Sequence, residues 1–129
     1  MEILKKKIQE AVNLFKDGNL AKSEKTTLKL IKTNPKIPFL YNLLGLILSA
    51  QNRIDEAIVT YNKGIKIDPN YAMIFNNLAL IYYNKSLKDK NYESNIKKAE
   101  ELYKKSIQLN PKIPEANTNL GNLYSSIGR

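Results

Sequence analysis

Three stretches of the chain share one layout: NPKIPFLYNLLG at residues 34–45, DPNYAMIFNNLA at residues 68–79 and NPKIPEANTNLG at residues 110–121. Each has a proline in second place and ends in Leu followed by a small residue. The residue before a proline is pushed out of the α region, whereas a proline is tolerated in the first turn of a helix. Each stretch therefore predicts the end of one helix and the start of the next.

The spacing of these stretches predicts an internal repeat. Pro35 and Pro69 are 34 residues apart, and Pro69 and Pro111 are 42 residues apart. Between the prolines, aromatic, apolar and small residues recur at helical spacing in two runs. Small residues let two antiparallel helices approach closely, and aromatic side chains fill the space beside them. The pattern indicates stacked helix pairs.

This pattern resembles the tetratricopeptide repeat, in which an aromatic, a Leu-Gly pair and a Tyr are followed by Ala, an aromatic and Pro. The matching residues are Tyr41, Leu44, Gly45, Leu48, Ala57, Tyr61 and Pro69, then Phe75, Leu78, Ala79, Tyr82, Ala99, Tyr103 and Pro111, then Asn117, Leu120, Gly121 and Tyr124. The resemblance implies an all-α fold, a right-handed superhelical stack of antiparallel helix pairs. About three and a half repeats would form a single domain over residues 1–129.

The repeat boundaries follow from the same alignment: residues 4–37, 38–71 and 72–113, with a half repeat at 114–129. In the first unit Lys7 and Glu10 replace an expected aromatic and Leu. Because a terminal repeat needs a polar outer face, this unit is interpreted as an N-terminal cap.

The third unit contains an eight-residue insertion near residues 84–95. Ala79 and Ala99 are 20 residues apart, whereas Gly45 and Ala57 are 12 apart. We expect one added turn on each helix, with the connection near Lys88, Asp89 and Lys90. Asn91 would cap the second helix, with Tyr92 and Ile96 on its inner face. A tolerated extension and a dedicated contact surface both remain open.

Catalytic and metal chemistry finds little support in the composition. The chain has no Cys and no His, and its five glycines are scattered singly, so thiolate nucleophiles, histidine bases and phosphate loops are excluded. Adjacent carboxylates at Asp55-Glu56 and Glu100-Glu101 fit helix electrostatics, through the helix dipole and through lysines four residues on. We expect no enzyme activity, no cofactor and no metal site.

The charge and the hydropathy pattern limit the partners. The net charge is +9, but it is almost all lysine, with arginine only at Arg53 and Arg129. Nucleic-acid recognition favours arginine, so a nucleic-acid partner is disfavoured. No apolar run approaches 18 residues and the N-terminus is charged, so we expect no membrane segment, no secretory signal and a cytoplasmic location.

The resemblance also implies a concave groove, lined by first helices, that binds a protein or an extended peptide. Carried over to this sequence, its candidate residues are Phe39, Asn42, Leu43, Leu46 and Ser49, then Met73, Asn76, Asn77, Leu80 and Tyr83, then Glu115, Thr118, Asn119, Asn122 and Ser126.

Two of these asparagines suggest how a peptide would be bound. Asn77 and Asn119 directly precede the Leu of their pair, which is similar to the asparagine ladder of O-linked N-acetylglucosamine transferases. Leu43 occupies that place in the second repeat, so the ladder is partial. Compositional drift toward Asn explains the same residues equally well. The clamp that binds C-terminal carboxylates fits poorly, because its basic positions fall on Ile8, Met73 and Asn77.

Two functions are consistent with the repeats. The first is a protein–protein interaction scaffold that binds in the groove. The alternative is the N-terminal substrate-targeting array of a larger enzyme, such as a glycosyltransferase or sulfotransferase. In either case the half repeat leaves Leu120, Tyr124 and Ile127 without a covering helix, which predicts self-association or mobility at the C-terminus.

Overall fold

The computed structural model describes residues 1–88 and 90–128, and these residues form seven α-helices and no strand. The predicted all-α fold class is therefore confirmed. The chain divides into two compact units, Met1–Pro69 and Asn70–Arg129.

The first unit contains four helices: α1 (Glu2–Lys16), α2 (Leu20–Thr33), α3 (Pro38–Ala50) and α4 (Ile54–Ile67). Consecutive helices pack on each other, and the connections of three or four residues make neighbours antiparallel. Gly18 forms the α1–α2 turn with a φ of +80°, a conformation that side chains disfavour. One apolar core cluster of this unit has members on α1, α2 and α3: Ala11, Leu30, Leu40, Leu43 and Ile47.

A glycine sets the distance between α3 and α4. A Cβ atom at Gly45 would lie 2.5 Å from Cδ1 and from Cζ of Tyr61, and closer still to Cε1. Tyr61 is fully buried, so its ring occupies the space that a side chain at position 45 would need. This contact is the close approach that the Leu-Gly and aromatic spacing predicted.

The second unit contains α5 (Ala72–Ser86), α6 (Tyr92–Leu109) and α7 (Pro114–Ser126). The helices α5 and α6 pack on each other more extensively than any other pair in this unit, and α7 packs on both. Ser106 Oγ on α6 donates a hydrogen bond to the Ala72 carbonyl oxygen at 2.8 Å. In the first unit, Ser23 Oγ on α2 donates to the Ala11 carbonyl oxygen over the same distance. Buried hydroxyls thus tie a second helix to its partner in both units.

Three helices begin where the repeats were predicted to begin, at Pro38, Ala72 and Pro114. The two prolines lie in the first turn of their helices, where no amide donor is required. The chain leaves the preceding helices at Asn34, Asp68 and Asn110, each next to a proline.

The insertion lengthens the α5–α6 pair differently from the prediction. The helix α5 has 15 residues against 13 in α3, and α6 has 18 against 14 in α4. Only α6 therefore gains a full turn; two of the other extra residues lengthen α5, and two lengthen the connection. Of the residues predicted to form that connection, Asp89 lies outside the described part of the chain.

Two further expectations for the insertion hold only in part. Asn91 precedes α6, but its side chain makes no capping hydrogen bond, and its ψ of 41° is not the extended conformation typical of a cap. Tyr92 is 41% exposed, because it begins α6 beyond the end of α5. Ile96, one turn later, is buried as predicted.

Candidate functional site

The helices α5 and α7 border a surface hollow of about 400 Å³. Residues at helical spacing on both helices line it: Met73, Asn76, Asn77 and Leu80 from α5, and Pro114, Glu115, Thr118 and Asn119 from α7. The steps of three and four residues place each set on one face of its helix. We call this hollow the α5–α7 groove.

Three asparagines form a hydrogen-bonded network in the α5–α7 groove. Asn119 Nδ2 donates to Asn76 Oδ1 at 3.1 Å, and Asn76 Nδ2 donates to Asn77 Oδ1 at 3.4 Å. Asn76 and Asn77 are buried, while Asn119 is half-buried. Each amide of the network orients the next, so these polar groups are held in place beside the apolar side chains of Met73 and Leu80.

The charge of the α5–α7 groove differs from that of the chain. Among the described lining residues Glu115 is the only charged one, although the whole chain carries a net charge of +9. Met73 and Leu80 contribute the large apolar side chains, and Leu80 is exposed. The groove therefore offers amide and hydroxyl hydrogen bonds together with apolar contact, and no cation.

The structure brings together seven of the residues that the sequence singled out: Met73, Asn76, Asn77, Leu80, Glu115, Thr118 and Asn119. Tyr83, Asn122 and Ser126 lie outside this lining set, and Ser126 Oγ donates to the Leu123 carbonyl oxygen at 2.7 Å. Sequence reasoning missed Pro114 as a lining residue. Its position one turn before Thr118 on α7 was the available signal.

The residues predicted to line the groove from α3 have other environments. Leu43 is 4% exposed and belongs to the apolar core of the first unit, so its assignment to the groove is corrected. The physical reason is the apolar face of α1, whose Ile8 and Val12 pack against that core. Asn42 is buried and has a polar interaction, Leu46 and Ser49 are half-buried, and Phe39 is exposed.

Three of the four adjacent carboxylates, Asp55, Glu56 and Glu100, have the structural roles that were expected. Asp55 and Glu56 lie in the first turn of α4, where the helix dipole favours negative charge. Glu100 Oε2 lies 3.7 Å from Lys104 Nζ, one turn along α6. Within residues 1–88 and 90–128, no group of three or more acidic, His or Cys side chains is arranged to hold a metal ion. No helix in the same part of the chain is long and apolar enough to cross a membrane.

Short antiparallel helix pairs with a 34-residue spacing and a glycine–tyrosine contact define a helical-repeat protein. A "TPR repeat" family model matches residues 45–86, and a "Tetratricopeptide repeat" model matches residues 102–129. Together they cover more than half of the chain. The chain belongs to the tetratricopeptide repeat family, which confirms the resemblance. No curated protein matches its sequence significantly.

Solved structures share this fold at low sequence identity. The first TPR domain of Spaghetti (RPAP3) bound to the HSP90 peptide SRMEEVD is 14% identical with a TM-score of 0.80, covering 98% of this chain and 94% of that one. The Yersinia enterocolitica secretion chaperone SycD, in complex with a peptide of the translocator YopD, is 18% identical with a TM-score of 0.81, covering 99% and 94%. An O-GlcNAc transferase from Thermobaculum terrenum is 17% identical with a TM-score of 0.80, covering 94% of this chain but only 22% of that one.

Proposed function

We propose that this chain is a protein-interaction module that binds an extended peptide segment of a partner protein in the α5–α7 groove. The observation that carries the proposal is the network of Asn119, Asn76 and Asn77 within a hollow of about 400 Å³. The peptide complexes of the similarly folded RPAP3 domain and SycD support a peptide as the class of ligand.

The chemistry of the groove suits a peptide backbone. A peptide unit carries one donor and one acceptor, and a primary amide carries both, so Asn side chains can hydrogen-bond main chain without selecting a sequence. Because the amides are already oriented by each other, little further ordering is needed on binding. Met73 and Leu80 provide apolar contact for the side chains of the bound segment. Two helices about 10 Å apart span roughly three residues of extended chain.

The charge of the α5–α7 groove determines the charge that we expect in a bound peptide. With Glu115 as its one described charge, the groove offers nothing to neutralise a row of carboxylates or a free C-terminus. We therefore expect internal segments of neutral or basic character. An acidic C-terminal peptide of the kind bound by the RPAP3 domain should bind poorly.

The test is a selection of randomised peptides on the wild-type chain, followed by fluorescence anisotropy on the selected peptides. Asn119→Ala should weaken binding by roughly 5- to 30-fold, because one backbone hydrogen bond and the orientation of Asn76 are lost. Asn122→Ala is the matched control on the same helix, since Asn122 is exposed and lies outside the lining set. Equal affinities for the two variants would place the peptide elsewhere.

A second candidate function is the targeting array of a larger enzyme, supported by the similarity of this chain to 22% of a bacterial O-GlcNAc transferase. In that case the α5–α7 groove would hold a segment of the protein substrate. The in-frame coding sequence after residue 129 tests this directly. A transferase domain there would support it, and a stop codon would exclude it.

A further inference from the structure

The first unit carries a second hollow, of about 440 Å³, between α2 and α4. Its floor is the buried face of α3, including Leu44 and Leu48. Leu28 on α2 and Val59 on α4 border it and are 47% and 56% exposed, among the most exposed large apolar side chains that the structure describes. Apolar groups left in water on both sides of a hollow indicate a contact surface.

The same two helices carry matching rows of charge. Residues four apart lie above one another on a helix, so each row forms a ridge with a carboxylate, an apolar residue and a lysine in that order. The ridges are Glu24, Leu28 and Lys32 on α2, and Asp55, Val59 and Lys63 on α4. The two lysines are exposed. Each ridge is about 12 Å long, at 1.5 Å per residue.

The ridges point in the same direction and are in register. Short connections join α3 to α2 and to α4, and each of these two helices packs antiparallel to α3. The helices α2 and α4 therefore run parallel to each other. Their N-terminal ends are joined by Arg53, whose Nη1 lies 2.8 Å from Glu24 Oε1 and whose guanidinium also binds Glu56. The carboxylate end of one ridge therefore lies beside that of the other. Glu24 is held by Arg53, which leaves Asp55 as the exposed carboxylate of the pair of ridges.

We propose that this face of α2 and α4 binds a second copy of the chain and forms a two-fold symmetric dimer. A surface with carboxylates at one end, apolar side chains in the middle and lysines at the other is complementary to itself when turned end for end. In that arrangement each ridge runs antiparallel along the same ridge of the other copy. Asp55 meets Lys63 of the second copy twice, and the apolar side chains of positions 28 and 59 cover each other in the centre.

The expected dimer is weak. Two exposed ion pairs contribute little, and the central apolar patch is small, so association depends mainly on burying four side chains. Sedimentation equilibrium of the chain from micromolar to millimolar concentration should show the mass rising from 14.8 kDa toward twice that value. Val59→Asp should lower the association constant at least about tenfold, because it places a charge at the centre of the apolar contact. Leu87→Asp, at an apolar residue of the second unit that is 60% exposed, is the matched control and should change nothing.

A charge exchange tests the antiparallel geometry. Asp55→Lys alone and Lys63→Glu alone should each weaken association about tenfold, because each makes both symmetric pairs repulsive. An equimolar mixture of the two variants should restore association, since the lysine at position 55 of one then meets the glutamate at position 63 of the other. Both positions are exposed, and circular dichroism checks that the variants fold.

Three results would overturn the proposal. The first is a chain that stays monomeric at millimolar concentration. The second is association that persists in Val59→Asp but is lost on substitution of Leu120 or Tyr124, which would place the contact at the C-terminal half repeat instead. The third is a mixture of charge variants that associates no better than either variant alone. Peptide binding in the α5–α7 groove uses residues of the second unit, so anisotropy measurements on Val59→Asp report on the proposed function separately.

Discussion

Gly45 sets the distance between α3 and α4 because it has no side chain. Its position against the buried ring of Tyr61 leaves no room for a methyl group. Gly121 occupies the equivalent place in α7, yet a Cβ there would meet nothing within 4 Å. The same residue at the same repeat position is thus required in one helix and replaceable in the other.

This difference gives a paired prediction. Gly45→Ala should lower the free energy of unfolding by about 1–3 kcal/mol, because the added methyl group overpacks the α3–α4 contact. Gly121→Ala should leave stability unchanged or raise it by up to about 1 kcal/mol, because alanine is the better helix former and no atom opposes it. Urea melts of both variants beside the wild type provide the measurement. A loss in Gly121→Ala equal to that in Gly45→Ala would contradict the packing argument.

Tyr103 is a fully buried residue whose hydroxyl has no hydrogen-bond partner among the described residues. Burial raises its pKa above the ordinary value, and the neighbouring Tyr83 adds to the shift. Burial also raises the pKa of Tyr61. A raised pKa means that the folded state holds the proton more tightly than the unfolded state. The stability linked to these groups is therefore complete below about pH 10 and is lost as the pH rises toward the folded-state values.

We expect Tyr103→Phe to be neutral or to stabilise the fold by up to about 1 kcal/mol at pH 7, because it removes an unpaired buried hydroxyl. Above pH 10 the variant should lose stability less steeply than the wild type. Tyr92→Phe, at an exposed tyrosine, is the control and should follow the wild-type curve. Thermal melts between pH 7 and about pH 11 measure both effects. An identical alkaline slope in Tyr103→Phe would show that its ionisation is not coupled to unfolding.

At the scale of the element, α3 and α7 form a matched pair. Each has 13 residues and a proline in its first turn. Eight residues of α3 are buried, whereas α7 buries only Ala116 and Leu123. The apolar residues Leu120, Tyr124 and Ile127, predicted to lack a cover, are half-buried. The two helices therefore differ in how many residues they bury, and not in their length or in the proline of their first turn.

The expected consequence is faster local opening of α7. Its amide hydrogens should exchange at least about tenfold faster than those of α3, since few buried contacts oppose opening and Asn117, Asn119 and Asn122 are poor helix formers. Hydrogen exchange followed by NMR resolves the two helices in one sample. Equal protection of α3 and α7 would show that the half repeat is as stable as a complete one, and the predicted weakness of the C-terminus would be wrong.

In the lengthened α5–α6 pair, residue spacing predicted the size of the insertion but not where each helix ends. The eight-residue insertion was evident from the spacing of Ala79 and Ala99, and its division between helix and connection was not. Where a helix ends depends on local contacts, and α5 ends at Ser86, whose hydroxyl donates to the Tyr83 carbonyl oxygen. A short polar side chain that satisfies a carbonyl in the last turn competes with continuation of the helix.

At the scale of the whole molecule, sequence reasoning identified the helices and the family because their signals are local. A proline restricts the backbone of the residue before it. A Leu-Gly pair with an aromatic 16 residues later indicates one contact between two helices. Repetition of these signals made the register clear. The same reasoning identified Asn77 and Asn119 as binding candidates from their position in the repeat. It also assigned Leu43 to the groove from its position in the repeat, although Leu43 packs in the core that the apolar face of α1 covers.

The sequence by itself determined the helix boundaries near the prolines, the tetratricopeptide class and the residue types available for binding. Only the tertiary structure decided which of those residues meet. Asn119 and Asn76 are 43 positions apart, and they share a hydrogen bond because α7 packs on α5. Leu28 and Val59 are brought to one hollow because α2 and α4 both pack on α3. Such contacts depend on how far neighbouring side chains let two helices approach, and that distance is set by packing among many residues at once.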